Sequence, residues 1–241
     1  MKELQHLYLE IVKELKQAGS KSLYKSDADE HDPRYKSYGV RAKEKKLIFL
    51  TFRPKIRCLI PHQQIELANL LVKSEVGDQQ TIGLSILEPL ASMFTPQKFD
   101  DVDGLVRCLH GWSKVDAFTG SFLRDILIRF PTQFLHLVDS WNQDPDMWLK
   151  RTSVVLFTRK IAKSGQFNDF AFKMCENLVD DEEALVQKGV GWALKDLMHA
   201  DKDRVLDYVG QLRKQKKPGT IILYAIKNLK GKERADFLAS S

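Results

Sequence analysis

Cysteine is scarce in this sequence, and the few cysteines lie far apart. Only three occur among 241 residues, at Cys58, Cys108 and Cys175, and none belongs to a C-x-x-C pair. An odd number of widely spaced cysteines excludes a disulfide framework and a thiolate zinc site as organising features. Each cysteine has apolar neighbours in the sequence, so we predict three buried, unreactive thiols.

Long apolar runs and the short motifs of several enzyme classes are also missing. No stretch of about 18 apolar residues is present, which excludes a membrane-spanning helix. The N-terminus opens on a polar helical pattern in place of a secretory signal, so we expect a cytoplasmic protein with no membrane partner. There is no H-E-x-x-H, no phosphate-binding glycine-rich loop and no G-x-S-x-G. We predict no metal and no cofactor.

Charge is present in both signs but is distributed unevenly. The formal net charge is +6 and the pI is about 9.1. Basic residues cluster at 41–46, 150–163, 213–217 and 227–234, and acidic residues at 27–32, 100–103 and 180–183. This segregation favours one positive face, which would suit a polyanionic partner. The alternative from charge alone is a set of ordinary solvated helix surfaces.

The apolar residues recur at helical spacing along the chain, and no segment has the alternation of a strand ladder. Pro54 is expected to end the second helix, and Pro89 to end or kink the fourth. The predicted helices span 2–18, 42–52, 61–71, 79–94, 96–109, 112–129, 131–141, 145–163, 167–178, 182–199, 202–214, 220–229 and 231–239.

The three tryptophan-bearing helices recur at similar intervals. Trp148 follows Trp112 by 36 residues and Trp192 follows Trp148 by 44. Periods near 40 residues, built from two or three helices, are typical of HEAT-like stacking. The sequence therefore predicts a single all-α domain over 1–241, a HEAT-like repeat solenoid of antiparallel helix pairs with a concave basic face.

Each of these tryptophans has a charged residue one helical turn away. The pairs are Trp112 with Asp116, Trp148 with Arg151, and Lys188 with Trp192. Residues three or four apart share a helix face, and an indole beside a charge on an exposed face is typical of a binding surface. A buried core position is the general alternative for a tryptophan. We assign Trp148 to the core or to orienting Arg151, because Val154, Val155 and Phe157 surround its helix in sequence.

These segments together resemble the AlkD-type DNA alkylation repair glycosylases, a family built from HEAT-like repeats. The matching stretches span most of the chain: Gly39-Val40-Arg41, Trp112-x-x-Val115-Asp116, Trp148-Leu149-Lys150-Arg151, and Gln187-Lys188-Gly189-Val190-Gly191-Trp192-Ala193-Leu194-Lys195.

The resemblance implies a role for each matching position. Asp116 corresponds to the catalytic carboxylate, and Trp112 and Trp192 to the aromatic residues that flank the deoxyribose of the damaged nucleotide. Arg151 corresponds to a phosphate-contacting arginine. The remaining residues that the resemblance assigns to DNA binding are Tyr24, Arg41, Lys150 and Lys188.

The expected function is hydrolysis of the N-glycosidic bond of cationic alkylated purines, of the 3-methyladenine and 7-methylguanine type, in duplex DNA. We expect a monomer that is associated with the nucleoid when it is bound to DNA. Two alternatives are a non-catalytic HEAT-like protein that binds damaged or branched DNA, and an α-solenoid scaffold that binds proteins. Gly189 and Gly191, inside a predicted helix, indicate close approach of either a neighbouring helix or a DNA backbone.

Overall fold

The computed structural model describes residues 2–20 and 32–239, and its regular secondary structure within these ranges consists of helices. The α-helices are α1 (Lys2–Ser20), α2 (Ala42–Cys58), α3 (Pro61–Val72), α4 (Gly77–Leu87), α5 (Phe99–Arg107), α6 (Trp112–Phe118), α7 (Arg124–Arg129), α8 (Pro131–Asn142), α9 (Met147–Val155), α10 (Arg159–Ser164), α11 (Asn168–Asn177), α12 (Ala184–Leu197), α13 (Lys202–Lys214), α14 (Gly219–Ala225) and α15 (Gly231–Ala239). Within the described ranges there is no strand, only an isolated bridge between Lys36 and Val76. The predicted all-α solenoid class is confirmed, whereas its concave basic face stays a prediction.

The chain divides into two compact units, Met1–Phe134 and Leu135–Ser241. In the first unit, α3 and α4 pack as an antiparallel pair. The side-chain amide of Gln80 donates to the Val72 carbonyl, and a Cβ on Gly83 would lie 2.8 Å from Val72 Cγ2. The absence of a side chain at Gly83 therefore lets the two helices approach closely.

The second unit is built around α12, which packs against both α9 and α14. A Cβ on Gly189 would lie 3.2 Å from Val154 Cγ2 of α9, and one on Gly191 would lie 2.7 Å from Tyr224 Cβ of α14. Both glycines are buried. Of the two predicted reasons for these glycines, close helix packing is therefore the one that the structure confirms.

Two predicted helix boundaries are wrong for identifiable reasons. Helix α2 continues through Pro54 to Cys58, because Pro54 is exposed and the buried Phe52 and Ile56 hold the helix on either side of it. The predicted helix over 145–163 is two helices, with a left-handed residue at Arg159 (φ 54°) beginning the second. The carboxylate of Asp196 accepts a hydrogen bond from the Arg159 backbone N–H at 2.8 Å, so a contact from α12 stabilises this break.

Smaller departures occur where the predicted helices change type. The predicted 79–94 helix becomes a 3-10 segment at Glu88–Met93, and the 96–109 helix begins with another at Pro96–Lys98. The predicted 112–129 helix contains a π-helical turn at Thr119–Leu123 between α6 and α7. None of the helices in the described part of the chain is both long and apolar enough to cross a membrane.

Candidate functional site

The predicted tryptophan and carboxylate on helix α6 differ in their exposure to solvent. Gly111 has φ 125°, a conformation that side chains disfavour, and it leads directly into α6. Trp112 is the first residue of the helix and is 43% exposed, whereas Asp116, one turn later, is only 7% exposed. The structure therefore offers an accessible indole and, next to it on the same helix, a carboxylate largely withdrawn from water.

The inner face of α6 is held by the core of the first unit. Val115 and Phe118 are buried, and the Phe118 ring stacks on Phe122 with centroids 4.6 Å apart. The π turn that follows is stabilised by side chains that satisfy backbone carbonyls: Thr119 Oγ1 donates to the Val115 carbonyl at 2.6 Å, and Arg124 Nη1 to Gly120 at 2.8 Å. Such π turns occur often at functional sites. Here it fixes the helix that carries Trp112 and Asp116.

A cavity of about 270 Å³ lies on another flank of α6, within the first unit. Its α6 wall is formed by Ser113, Lys114, Ala117 and Phe118. Besides Lys114, the charged residues that line it are Lys45 and Glu88. Trp112 and Asp116 do not line it. The cavity is therefore separate from the indole and carboxylate that the sequence singled out.

In the second unit, Trp192 is half-buried and its indole edge is anchored. Trp192 Nε1 donates to Asp196 Oδ2 at 3.0 Å, and the Arg159 guanidinium lies 4.7 Å from the centre of the Trp192 ring. Lys195 Nζ lies 5.8 Å from the same ring. Cations at these distances are attracted to the negative face of an indole.

Arg151, the predicted phosphate ligand, is 5% exposed, and its Nη1 donates to the Leu185 carbonyl at 2.6 Å. Trp148 is buried in the core, in agreement with the structural alternative. Lys150 forms an ion pair with Asp181 at 2.7 Å, so its charge is partly neutralised. Lys188 is exposed on α12. The phosphate contacts of Arg151, Lys150 and Lys188 stay predictions.

The two predicted DNA contacts from the N-terminal part differ in how far they can be described. Arg41 is exposed immediately before α2, and its backbone N–H donates to the Glu44 carboxylate at 3.1 Å. Tyr24 lies outside the described residues. Arg41 is therefore accessible to a phosphate, and both assignments stay predictions.

Sequence reasoning missed Arg159 and Asp196. Asp196 follows Trp192 by four residues, which is the same spacing as Asp116 after Trp112, so the sequence held a signal for it. The sequence marked Arg159 only as one member of the basic cluster at 150–163, because its contact with Trp192 depends on the break between α9 and α10. In the ranges the structure describes, no group of three or more His, Cys, Asp or Glu side chains could hold a metal ion.

Comparison with known proteins places these residues in a family. The family model for DNA alkylation repair enzymes matches residues 11–229, which includes most of both compact units. Among solved structures, the chain is similar to a predicted DNA alkylation repair enzyme from Enterococcus faecalis, with a TM-score of 0.69 and 14% identity over 82% of this chain and 90% of that one. At that identity the likeness shows the fold alone. No curated protein sequence matches significantly. Because the family model matches most of the chain, the chain belongs to the DNA alkylation repair enzyme family.

Proposed function

We propose that this protein is a DNA glycosylase that hydrolyses the N-glycosidic bond of cationic alkylated purines in duplex DNA. Family membership supports a role in alkylation repair and DNA as the partner. The observation that carries the finer proposal is the pair on α6, an exposed Trp112 beside a largely buried Asp116.

The chemistry of a cationic lesion fits a site with one carboxylate. An N3- or N7-alkylated purine already carries positive charge, so the bond from C1′ to the base nitrogen can break with its electron pair leaving on the base, without a general acid. The sugar then develops oxocarbenium character, as in glycoside hydrolysis generally. What remains for the enzyme is to stabilise that positive charge and to direct water to C1′.

Asp116 is the proposed group that stabilises the developing positive charge on the sugar. An anionic carboxylate with little exposure acts through a low local dielectric, where its attraction to a developing cation is stronger than in water. It can also accept a proton from the attacking water, while the water oxygen forms the new bond to C1′. Neutral lesions would need leaving-group protonation, so we propose a preference for cationic lesions.

Trp112 and Trp192 are the proposed aromatic contacts to the sugar of the damaged nucleotide. The face of an indole attracts positive charge, and this attraction grows as the oxocarbenium ion forms. The exposure of Trp112 and the anchored edge of Trp192 support the assignment. Each ring would supply contact area without losing much conformational freedom on binding.

The decisive assay is release of 7-methylguanine from methylated duplex DNA by wild type and Asp116→Asn. We expect the variant to lose about 10²–10³-fold in the single-turnover rate, the range for removal of one preorganised electrostatic group. Binding to duplex DNA with an unreactive abasic analogue should persist. Asp101→Asn removes the same charge from an exposed position on α5 and should retain wild-type release.

Three outcomes separate the functional hypotheses. Wild-type release by Asp116→Asn would refute the catalytic assignment. Salt-dependent duplex binding by a wild-type protein that releases no alkylated base would favour the non-catalytic DNA-binding alternative. Absence of any salt-dependent DNA binding would favour the protein-binding scaffold.

A further inference from the structure

Asp196 lies where three groups of the second unit meet. It is a carboxylate with 7% exposure on α12. Its Oδ2 accepts hydrogen bonds from Trp192 Nε1 at 3.0 Å and from the Arg159 backbone N–H at 2.8 Å. Its Oδ1 lies 3.1 Å from Lys195 Nζ. Oδ2 therefore accepts hydrogen bonds from α12 and from the start of α10, and Oδ1 forms an ion pair with the neighbouring Lys195.

We infer that Asp196 is a positioning residue that fixes the orientation of the Trp192 indole. An indole has a single N–H donor and two side-chain torsions, so one hydrogen bond to an immobile acceptor sets the rotation of the ring. The acceptor is immobile because the Arg159 N–H and the Lys195 ammonium hold the same carboxylate. The importance of this ring for base release rests on the proposed function, whereas the positioning itself does not.

The arrangement argues against a second catalytic carboxylate, although Asp116 and Asp196 have the same spacing from a tryptophan. A general base needs a lone pair directed at the proton it removes. The Trp192 and Arg159 N–H donors share one Asp196 oxygen, and the other oxygen faces the Lys195 ammonium group. A carboxylate held in this way organises its neighbours, and the chemistry is left to other groups.

Asp196 also supports the position of the Arg159 guanidinium over the Trp192 indole face. Arg159 has φ 54°, a conformation rarely adopted by a residue with a side chain, and its N–H is accepted by Asp196. This backbone geometry begins α10 and accompanies the placement of the Arg159 guanidinium 4.7 Å from the Trp192 ring centre. Loss of the carboxylate therefore removes the edge contact of the indole and weakens the support of the cation over its face.

The direct test uses the indole Nε1–H signal of Trp192 in ¹⁵N NMR spectra, assigned by its disappearance in Trp192→Phe. In Asp196→Leu, the signal should shift and its exchange with solvent should accelerate by about tenfold, as expected for loss of one hydrogen bond. Asp196→Asn keeps an oxygen acceptor and should give an intermediate result. Asp207→Asn, an exposed aspartate on α13, should leave the signal unchanged.

The functional test is a double-mutant cycle on base release. Asp196→Asn should lower the single-turnover rate about tenfold in the wild-type background and have little further effect in Trp192→Phe, because the carboxylate acts through the indole. Equal effects of Asp196→Asn in both backgrounds would overturn the inference, as would an unchanged indole signal in Asp196→Leu. If wild type releases no base, the proposed function fails, while the NMR result still decides whether Asp196 holds the ring.

Discussion

Replacing Gly191 by alanine would place a methyl group between α12 and α14. The new Cβ would lie 2.7 Å from Tyr224 Cβ and 2.9 Å from the Ile221 carbonyl oxygen. Ordinary contacts begin near 3.4 Å, so the two atoms are too close by about 0.7 and 0.5 Å. One is a backbone atom and the other is the first side-chain atom of Tyr224. Neither can rotate away, and α14 itself must move.

The magnitude follows from two opposing terms. Overpacking of a close interface costs about 1–3 kcal/mol, whereas alanine in place of a helical glycine contributes about 1 kcal/mol in the opposite direction. We therefore expect Gly191→Ala to lower the free energy of unfolding by about 1 kcal/mol. In Gly210→Ala, on α13, the added Cβ has no atom within 4 Å apart from its chain neighbours and the helix's own backbone, and this variant should raise the free energy of unfolding by about 1 kcal/mol.

The difference between these two variants isolates the steric term, because the helix-propensity gain is common to both. Urea unfolding monitored by circular dichroism gives the two free energies. Hydrogen exchange measured by mass spectrometry assigns the change to peptides from α12 and α14, which matters in a chain with two compact units. Equal stability of Gly191→Ala and Gly210→Ala would refute the close packing of α12 on α14.

Three further predictions concern thiols, a buried hydroxyl and a buried carboxylate. Burial raises the pKa of Cys175 to about 12. At pH 8, iodoacetamide should therefore modify the exposed Cys58 in the folded protein, and Cys175 only after denaturation. Rapid modification of Cys175 in the folded protein, detected by peptide mass spectrometry, would contradict this prediction. The Tyr208 hydroxyl is buried without a hydrogen-bond partner among the described residues, so Tyr208→Phe should leave stability unchanged or raise it by about 1 kcal/mol in urea unfolding, and a clear loss would contradict this reading. Asp78 is fully buried and accepts hydrogen bonds from the Tyr38 N–H at 2.6 Å and from Lys45 Nζ at 3.0 Å. Asp78→Asn should therefore lower the free energy of unfolding by about 3 kcal/mol. A decrease below about 1 kcal/mol would show that the Asp78–Lys45 ion pair is not needed for stability.

The thiols also show where local sequence is a poor guide to burial. Apolar neighbours predicted three buried cysteines, yet Cys58 is exposed and Cys108 is intermediate, while Cys175 is buried as predicted. Cys58 lies in the last turn of α2, where the core contacts come from Phe52 and Ile56 on a different side of the helix. Whether a side chain is buried depends on the helix face that it occupies. At the end of a helix, the types of the neighbouring residues do not define that face.

The sequence by itself determined the helical class and most helix positions. Apolar spacing and proline or glycine breaks are local properties, and α13 and α15 begin and end where they were predicted. Local spacing also placed Trp112 and Asp116 one turn apart on one helix, and marked Gly189 and Gly191 as points of close approach. These features depend on interactions within a few residues, so the chain specifies them before it packs.

Only the tertiary structure decided which of these side chains is withdrawn from water and what holds it. Helical spacing cannot distinguish the exposed Trp112 from the largely buried Asp116, because burial depends on the helices packed around α6. The break before Arg159 likewise involves a hydrogen bond from its N–H to Asp196 of α12, 37 residues away along the chain, and the Arg159 guanidinium contacts Trp192 on the same helix. A hydrogen bond over that separation forms only when the fold brings its partners together, and no local pattern encodes it.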